Sequence, residues 1–283
     1  MDTLYGTPQA VPCAVPDARP GAPPDEGQAR RFAGVARVYG QGALERFGRA
    51  HIAVIGLGGV GTWAAEALAR SGVGLLTLVD LDHISESNTN RQIHALDPEY
   101  GKAKVQAMAE RIRAINPAAR VRTVEEFVAA DNVAECIGEA TLVLDCIDAV
   151  IAKAALIAYA RAQGRAVVTC GAAGGRRDPG RIRREDLART QGDRLLARVR
   201  HTLRHEHGFA AAPRTGPATR FGVLAIYSDE PPVSLARADP THASAAPAPG
   251  SPLACGGYGS AVTVTASMGF AAAAGALEHF ERA

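Results

Sequence analysis

The chain has 283 residues, 47% of them hydrophobic and 21% charged, a balance that is typical of a folded globular protein and excludes fibrous and wholly disordered classes. Its 31 basic and 29 acidic residues leave a net charge of +2, so the charge of the whole chain favours no particular partner. Five scattered cysteines without a C-x-x-C pair argue against structural zinc and are typical of the reducing cytoplasm.

The N-terminal segment differs in composition from the rest of the chain. Residues 1–30 are rich in proline and contain no apolar stretch of the signal-peptide type, so we expect a disordered tail there. Apolar residues at helical spacing then predict one helix over residues 32–47.

Residues 51–61, with the sequence HIAVIGLGGVG, carry the most informative pattern in the chain. An apolar strand runs into a glycine-rich turn and a helix, and a second strand at residues 75–79 ends in Asp80. Glycines let the backbone approach a phosphate at the helix N-terminus, and an acidic residue about 20 positions later accepts a ribose hydroxyl. We therefore predict a nucleotide-binding βαβ unit with Asp80 at the ribose. Its phosphate-binding glycines are Gly56, Gly58, Gly59 and Gly61.

Strands and helices continue to alternate after this unit. The predicted elements are a helix over 101–115, strands over 121–125, 142–145 and 166–170, a helix over 151–163 and a strand over 221–227. This order predicts an α/β fold with a doubly wound, Rossmann-like and mostly parallel sheet. The nucleotide-binding domain would cover residues 31–170, and a smaller C-terminal sub-domain would cover residues 171–283.

Basic residues follow Asp80 where a dehydrogenase has no need of them. The segment SNTNRQ at residues 87–92 contains Arg91, and the next predicted helix contains Lys104. Attack of a carboxylate on the α-phosphate of ATP builds negative charge, which arginine and lysine offset. The pattern therefore indicates an adenylating enzyme. A nicotinamide-dependent dehydrogenase and a nucleotide-sensing module without turnover are the alternatives.

Two carboxylates follow the predicted strand over 142–145, in the run Asp145-Cys146-Ile147-Asp148. Ligands bind at the carboxyl edge of such sheets, and a carboxylate there suits Mg²⁺ that bridges phosphate oxygens. Asp148 is the candidate magnesium ligand, whereas a metal role and a structural role both stay open for Asp145.

In combination, GLGGVG, Asp80, SNTNRQ, Lys104 and DCID resemble the superfamily of ubiquitin-activating-like adenylating enzymes, which includes the sulfur-carrier adenylases. The resemblance implies that an arginine before the first strand, Arg37 or Arg31, reaches into the site of a neighbouring subunit. The resemblance also implies that Asn88, Arg91 and Lys104 bind the phosphates. It implies that Asp148 binds Mg²⁺.

A narrower resemblance covers about residues 31–280. The segments RFAGVARVYG, TNRQIHAL, AKAALIAYAR and GAAGGRRDPGRI are similar to the tRNA threonylcarbamoyladenosine dehydratase family. This resemblance implies that ATP activates the threonyl carboxylate of the modified tRNA as an acyl adenylate, which then closes a ring. It also implies a homodimer, a link to a cysteine desulfurase system and dependence on K⁺ or Na⁺. A sulfur-carrier adenylase is the alternative.

Arginine is concentrated in the stretch after residue 175. In a helix Arg194, Arg198 and His201 would share one face, and such a stripe could follow an RNA backbone, although a charge run is more often only a solvated surface. The arginines of this stretch are Arg176, Arg177, Arg181, Arg183, Arg184, Arg189, Arg194, Arg198, Arg200 and Arg204.

Two features near the C-terminus leave alternatives open. Cys255 precedes two glycines and a helix start, so it could form a thioester, or it could simply be packed among small residues. Residues 258–277 are nearly uncharged and long enough to span a bilayer, but their small and hydroxyl side chains favour a buried helix on the sheet. We therefore expect a buried helix, and membrane association stays open as the less favoured alternative.

Overall fold

The computed structural model describes residues 26–213, 215–233 and 258–283. Within these ranges, seven strands form one sheet with helices on both faces. The strands are β1 (His51–Ile55), β2 (Leu75–Val79), β3 (Arg120–Val124), β4 (Leu142–Asp145), β5 (Ala166–Cys170), β6 (Ile182–Asp186) and β7 (Leu224–Ser228). The helices are α1 (Glu26–Tyr39), α2 (Gln41–Arg49), α3 (Gly61–Arg70), α4 (Lys104–Ile115), α5 (Val133–Ile137), α6 (Val150–Ala162), α7 (Arg194–Glu206) and α8 (Val262–Arg282).

The strand order is β3-β2-β1-β4-β5-β7-β6, and every pair of neighbours is parallel except β6 and β7. The chain therefore forms the predicted doubly wound and mostly parallel sheet. Successive strands are added on one side of β1, as β2 and β3, and then on its other side, beginning with β4. The loops after β1 and β4 therefore lie side by side at the carboxyl edge of the sheet. Such a reversal point is where open α/β sheets bind ligands.

Alternating residues of the central strands supply two cores, one on each face of the sheet. Ile52 and Val54 of β1 face a core with α2, α3, α4 and α8, whereas Ala53 and Ile55 face a core with α5, α6 and α7. Because both faces are covered, the central strands are almost continuously apolar, as the sequence indicated.

The small-residue segment near the C-terminus forms α8, which packs against α3 and the sheet. The close approach of α8 to the start of α3 explains why α8 is rich in small residues. A Cβ at Gly269 would lie 2.6 Å from the carbonyl oxygen of Val60. Among the described residues, no helix is long and apolar enough to cross a membrane. The segment thus forms a helix that packs on the sheet, as the buried-helix interpretation predicted.

Several boundaries differ from the sequence prediction. Helix α1 begins at Glu26, inside the predicted tail, and the single helix predicted over 32–47 is two helices separated at Gly40, whose φ of 86° favours glycine. Strand β6 and helix α5 were not predicted. The sequence of β6, IRRED, lacks apolar alternation because an edge strand is partly exposed. Residues 1–25, which make up most of the predicted tail, lie outside the described residues.

Candidate nucleotide site

The glycine-rich loop joins β1 to α3 at the carboxyl edge. Gly56 donates its N–H to the carbonyl oxygen of Val79 at 2.8 Å and has a φ of 87°. A Cβ at Gly61 would overlap the carbonyl oxygen of Gly56, so this glycine is needed for the turn itself. A Cβ at Gly58 would meet no described atom within 4 Å. The loop is thus tightly packed below and open at Gly58, as a phosphate cradle requires.

Asp80 closes one side of the loop. Its Oδ2 accepts a hydrogen bond from the Leu57 N–H at 2.6 Å, and its Oδ1 accepts one from the Asp82 N–H at 2.9 Å. Burial raises the pKa of Asp80, and the nearby Lys104 opposes that rise. The structure therefore brings the predicted ribose ligand directly to the glycine loop.

Lys104 is the first residue of α4 and is buried, rather than lying on a solvated helix face. Its Nζ lies 2.7 Å from Oδ2 of Asp82 and 3.8 Å from Oδ1 of Asp80. The ammonium of Lys104 thus pairs with two carboxylates at the edge of the loop. Asp82 was not singled out from the sequence, although its place two residues after Asp80 was a usable signal.

Arg91 lies against the glycine loop. A Cβ at Gly59 would lie 3.2 Å from Cγ of Arg91, and Trp63 of α3 donates its indole N–H to the Arg91 carbonyl at 2.9 Å. The guanidinium Nη1 donates to the Ser87 carbonyl at 2.6 Å and to Oδ1 of Asn90 at 2.8 Å. The side chain is thus held beside the loop at a place where its remaining donors are available to an anion.

Two asparagines of the SNTNRQ segment hold the surrounding backbone. The Asn88 Oδ1 accepts from the Ser85 N–H at 3.1 Å and closes a buried turn, so this oxygen has a local structural partner. A phosphate contact by Asn88 stays a prediction. Asn90 Nδ2 donates to the Ser260 carbonyl at 2.8 Å, which ties the segment before α8 to the site. The sequence analysis quoted Asn90 within the motif but gave it no role.

The two carboxylates after β4 have different environments. The Asp145 side chain is fully buried and its Oδ2 lies 2.9 Å from Nζ of Lys153, so the structural role left open for it is the one observed. Asp148 is exposed at the carboxyl edge. Lys153 was missed by the sequence analysis, and the signal was a single lysine within the apolar run of α6.

Magnesium fits this site only with the help of phosphate oxygens. Within the described ranges there is no cluster of three or more carboxylate, histidine or cysteine side chains that could hold a metal ion. Asp148 would supply one carboxylate, and Mg²⁺ commonly binds through one or two carboxylates together with substrate phosphates and water. The donor set is thus compatible with a metal that arrives with the nucleotide.

Arg31 and Arg37 are not brought to the site of their own chain. Both lie exposed on α1, where Arg31 Nη1 donates to the Ile115 carbonyl at 3.3 Å and Arg37 Nε donates to the Ala33 carbonyl at 3.2 Å. Ile115 ends α4, far along the helix from Lys104. A role in the site of a second subunit stays a prediction for both arginines.

The cysteines divide into two groups. Cys255 lies outside the described residues, so neither interpretation of it is tested. Cys146 Sγ lies 3.8 Å from Cys170 Sγ at the ends of β4 and β5, and burial raises the pKa of Cys146 well above its usual value. Cys170 is buried at the end of β5, whereas Cys146 directly follows β4 and is half-buried.

The fold and the site define a class of protein: a Rossmann-like nucleotide-binding protein whose glycine loop is flanked by an arginine and a lysine. Comparison with known proteins then gives the family. The ThiF family matches residues 29–191. The tRNA threonylcarbamoyladenosine dehydratase of Escherichia coli K12 is 46% identical over 252 residues, which cover 88% of this chain and 92% of that protein.

Two further comparisons agree with this result. The enzyme of the same name from Haemophilus influenzae is 40% identical over 85% of this chain and 89% of its own length. The crystal structure of the E. coli dehydratase in complex with ATP has a TM-score of 0.78 and 44% identity, and covers 90% of this chain and 96% of that one. This chain belongs to the ThiF family and, within it, to the tRNA threonylcarbamoyladenosine dehydratases.

Proposed function

We propose that this protein uses ATP to dehydrate threonylcarbamoyladenosine in tRNA to its cyclic form. ATP would transfer AMP to the threonyl carboxylate and release pyrophosphate. The ureido group would then attack the activated carbonyl, close a five-membered ring and release AMP. Ring closure is intramolecular, so holding the two groups in position supplies much of the rate, and no protein nucleophile is required.

The single observation that carries this proposal is similarity along nearly the whole chain. The E. coli dehydratase is 46% identical over 88% of this chain, a range that includes the C-terminal sub-domain as well as the nucleotide domain. A nucleotide-binding domain alone is shared by enzymes of many activities. Identity beyond the nucleotide domain is what favours the dehydratase over the sulfur-carrier adenylase.

The chain's own residues suit adenylyl transfer. Arg91 lies against the glycine loop and would offer positive charge to the phosphates, and Lys104, at the start of α4, lies next to Asp80 and would face the same nucleotide. Preorganised charge of this kind lowers the barrier because it needs no rearrangement as negative charge develops. Asp80 would orient the ribose, and Asp148 would hold the magnesium that neutralises the leaving pyrophosphate.

The family resemblance supports further proposals that await their own tests. The enzyme would act as a homodimer in the cytoplasm, with Arg31 or Arg37 reaching the site of the second subunit. It would require Mg²⁺ and would respond to K⁺ or Na⁺, and it would cooperate with a cysteine desulfurase system.

Nucleoside mass spectrometry provides the decisive experiment. Purified protein is incubated with ATP, Mg²⁺ and tRNA that carries threonylcarbamoyladenosine. We expect the modified adenosine to lose one water while AMP and pyrophosphate form in equal amounts. A parallel incubation contains a small carrier protein that ends in Gly-Gly. Pyrophosphate release that requires the carrier and ignores the tRNA would instead identify a sulfur-carrier adenylase, and tight ATP binding without turnover would identify a nucleotide sensor.

A further inference from the structure

The arginines of this stretch differ in whether their side chains have an intramolecular partner among the described residues. Arg184 forms a bidentate ion pair with Glu278, with distances of 2.6 and 2.8 Å, while Arg181 and Arg183 share Asp229. The other engaged arginines of the stretch are Arg176, buried against Glu230 and Asp193; Arg189, bonded to the Ala218 carbonyl; Arg200, bonded to Thr190; and Arg204, bonded to the Ala210 carbonyl. Most arginines of the stretch therefore bind other parts of the same chain.

Two of the arginines that have no side-chain partner within the described ranges lie on helix α7, and a third, the exposed Arg177, lies in the loop before β6. Arg194 and Arg198 are exposed, and neither side chain has a partner among the described residues. His201 and His205 continue the same face, and their rings lie at a centroid distance of 4.1 Å with their planes tilted by 39°. The opposite face of α7 is buried in the core. This helix has four arginines against one glutamate, an excess that is larger than the net charge of +2 of the whole chain.

The free face starts at the rim of the nucleotide site. Asp193, which caps α7, accepts hydrogen bonds from the Leu196 N–H and from the Ala172 N–H in the loop after β5. The helix therefore begins at the carboxyl edge and runs away from it. At 1.5 Å per residue, the stripe from Arg194 to His205 is about 16 Å long.

A shallow basic depression continues the stripe at the far end of α7. It has a volume of about 380 Å³ and is open to solvent. Arg161 of α6, His207 and Arg220 line it, and Phe209 and Phe221 form its floor with ring centroids 4.9 Å apart. Positive charge thus extends from the site rim to the opposite edge of the sheet.

We propose that this track, defined as Arg194, Arg198, His201, His205 and the depression lined by Arg161 and Arg220, binds the sugar–phosphate backbone of the RNA substrate. The inference rests on the proposed function, since it assigns the surface that holds the tRNA beyond the modified nucleotide. Arginine neutralises phosphates without regard to base sequence, and the exposed imidazoles of His201 and His205 offer ring nitrogens that can hydrogen-bond to the same strand.

The composition of the track favours RNA over other anionic partners. No large hydrophobic side chain of α7 is exposed, whereas an interfacial membrane helix needs an apolar face and a stable protein interface needs an apolar core. A narrow line of charges that begins beside the reactive site matches a long polyanion whose one modified nucleotide enters that site.

The test compares two double variants of the full chain that remove equal charge. Arg194→Ala/Arg198→Ala alters the track, whereas Arg49→Ala/Arg113→Ala removes two exposed arginines from the helices on the other face of the sheet. Binding of tRNA that carries threonylcarbamoyladenosine is measured from 50 to 300 mM salt, and ATP binding is measured for each variant. Loss of two phosphate contacts should reduce the log–log salt slope by about 1.5 and weaken binding at least tenfold at the lowest salt.

We expect the slope to fall only in the track variant, with ATP binding unchanged in both. Equal salt slopes in the two variants would overturn the inference. Binding to phosphatidylserine vesicles is measured for the same variants, and the inference would also fail if the track variant lost vesicle binding while its tRNA salt slope stayed unchanged. Product formation by the unaltered enzyme is measured in parallel. If the unaltered enzyme forms the cyclic product while the track variant binds tRNA normally, the track is not the tRNA-binding surface and the proposed function stands.

Discussion

Lys153 and Asp145 form a buried ion pair beneath the loop that leads to Asp148. Lys153 Nζ lies 2.9 Å from Asp145 Oδ2 and donates to the Ile147 carbonyl at 2.8 Å, and both charged side chains are 0% exposed. Thr169 Oγ1 donates to the same carboxylate oxygen at 2.7 Å. Burial raises the pKa of Asp145 and Lys153 opposes the rise. The pair fixes the backbone that ends in the candidate magnesium ligand.

We predict that Lys153→Met lowers the free energy of unfolding by about 3–5 kcal/mol, because it leaves the Asp145 carboxylate buried without a cation. Arg184→Met removes a partly exposed pair with Glu278 and should cost about 1 kcal/mol or less. Urea denaturation measures both. Asp145→Asn combined with Lys153→Met should be less destabilised than Lys153→Met alone, and equal costs for Lys153→Met and Arg184→Met would contradict this account.

A methyl group at Gly58 should separate ligand binding from folding. The position has open space around it, so Gly58→Ala should leave the melting temperature nearly unchanged. If phosphate occupies that space, the Kd for ATP should rise tenfold or more, since each 1.4 kcal/mol lost is about a factor of ten. Gly34→Ala, also in open space but on α1, is the matched control. Unaltered ATP affinity in the Gly58 variant would place the phosphates elsewhere.

Arg91→Ala should abolish adenylation with the fold intact. In the part of the chain that the structure describes, the guanidinium bonds to a backbone carbonyl and to Asn90 at the surface, so its removal should change stability little. Loss of one preorganised charge at the reacting phosphate typically lowers the rate by about 10²–10³. Pyrophosphate release measures the effect, and Arg113→Ala on α4 is the control. A variant that forms AMP at the normal rate would remove Arg91 from the mechanism.

His94 should make stability depend on pH. It is 3% exposed, and burial, followed by the charge of Lys104, lowers its pKa from 6.5 to about 4. Between these values the unfolded chain binds a proton that the folded chain does not, so stability falls as pH falls from 6.5 towards 4. The loss at pH 5 should be about 2 kcal/mol.

The measurement compares unfolding at pH 7.5 and pH 5 for the unaltered protein, for His94→Gln and for His83→Gln. His83 is more than half exposed and provides the matched control. The difference between the two pH values should shrink only in the His94 variant. An identical pH dependence in all three proteins would show that His94 is protonated in the folded state.

The order of elements and the glycine loop were predictable because each depends on local sequence. Strands β4 and β5 were predicted at their observed bounds, since a run covered on both faces is continuously apolar. Strand β6 was missed because an edge strand rich in arginine has no such signal. Helix α1 was predicted to begin later than Glu26, since helix ends depend on tertiary contacts more than on spacing.

The sequence by itself determined the class of fold, the glycine loop and the ribose carboxylate, because periodicity and glycine geometry act over a few neighbouring residues. Only the tertiary structure decided which charges are free. Arg184 and Arg194 look alike in sequence, yet one is neutralised by Glu278, 94 residues away, and the other has no partner among the described residues. Likewise, Asp145 and Asp148 differ by three positions, and burial next to Lys153 makes only one of them structural. Electrostatic role depends on distance in space and on burial, and neither can be read from sequence spacing.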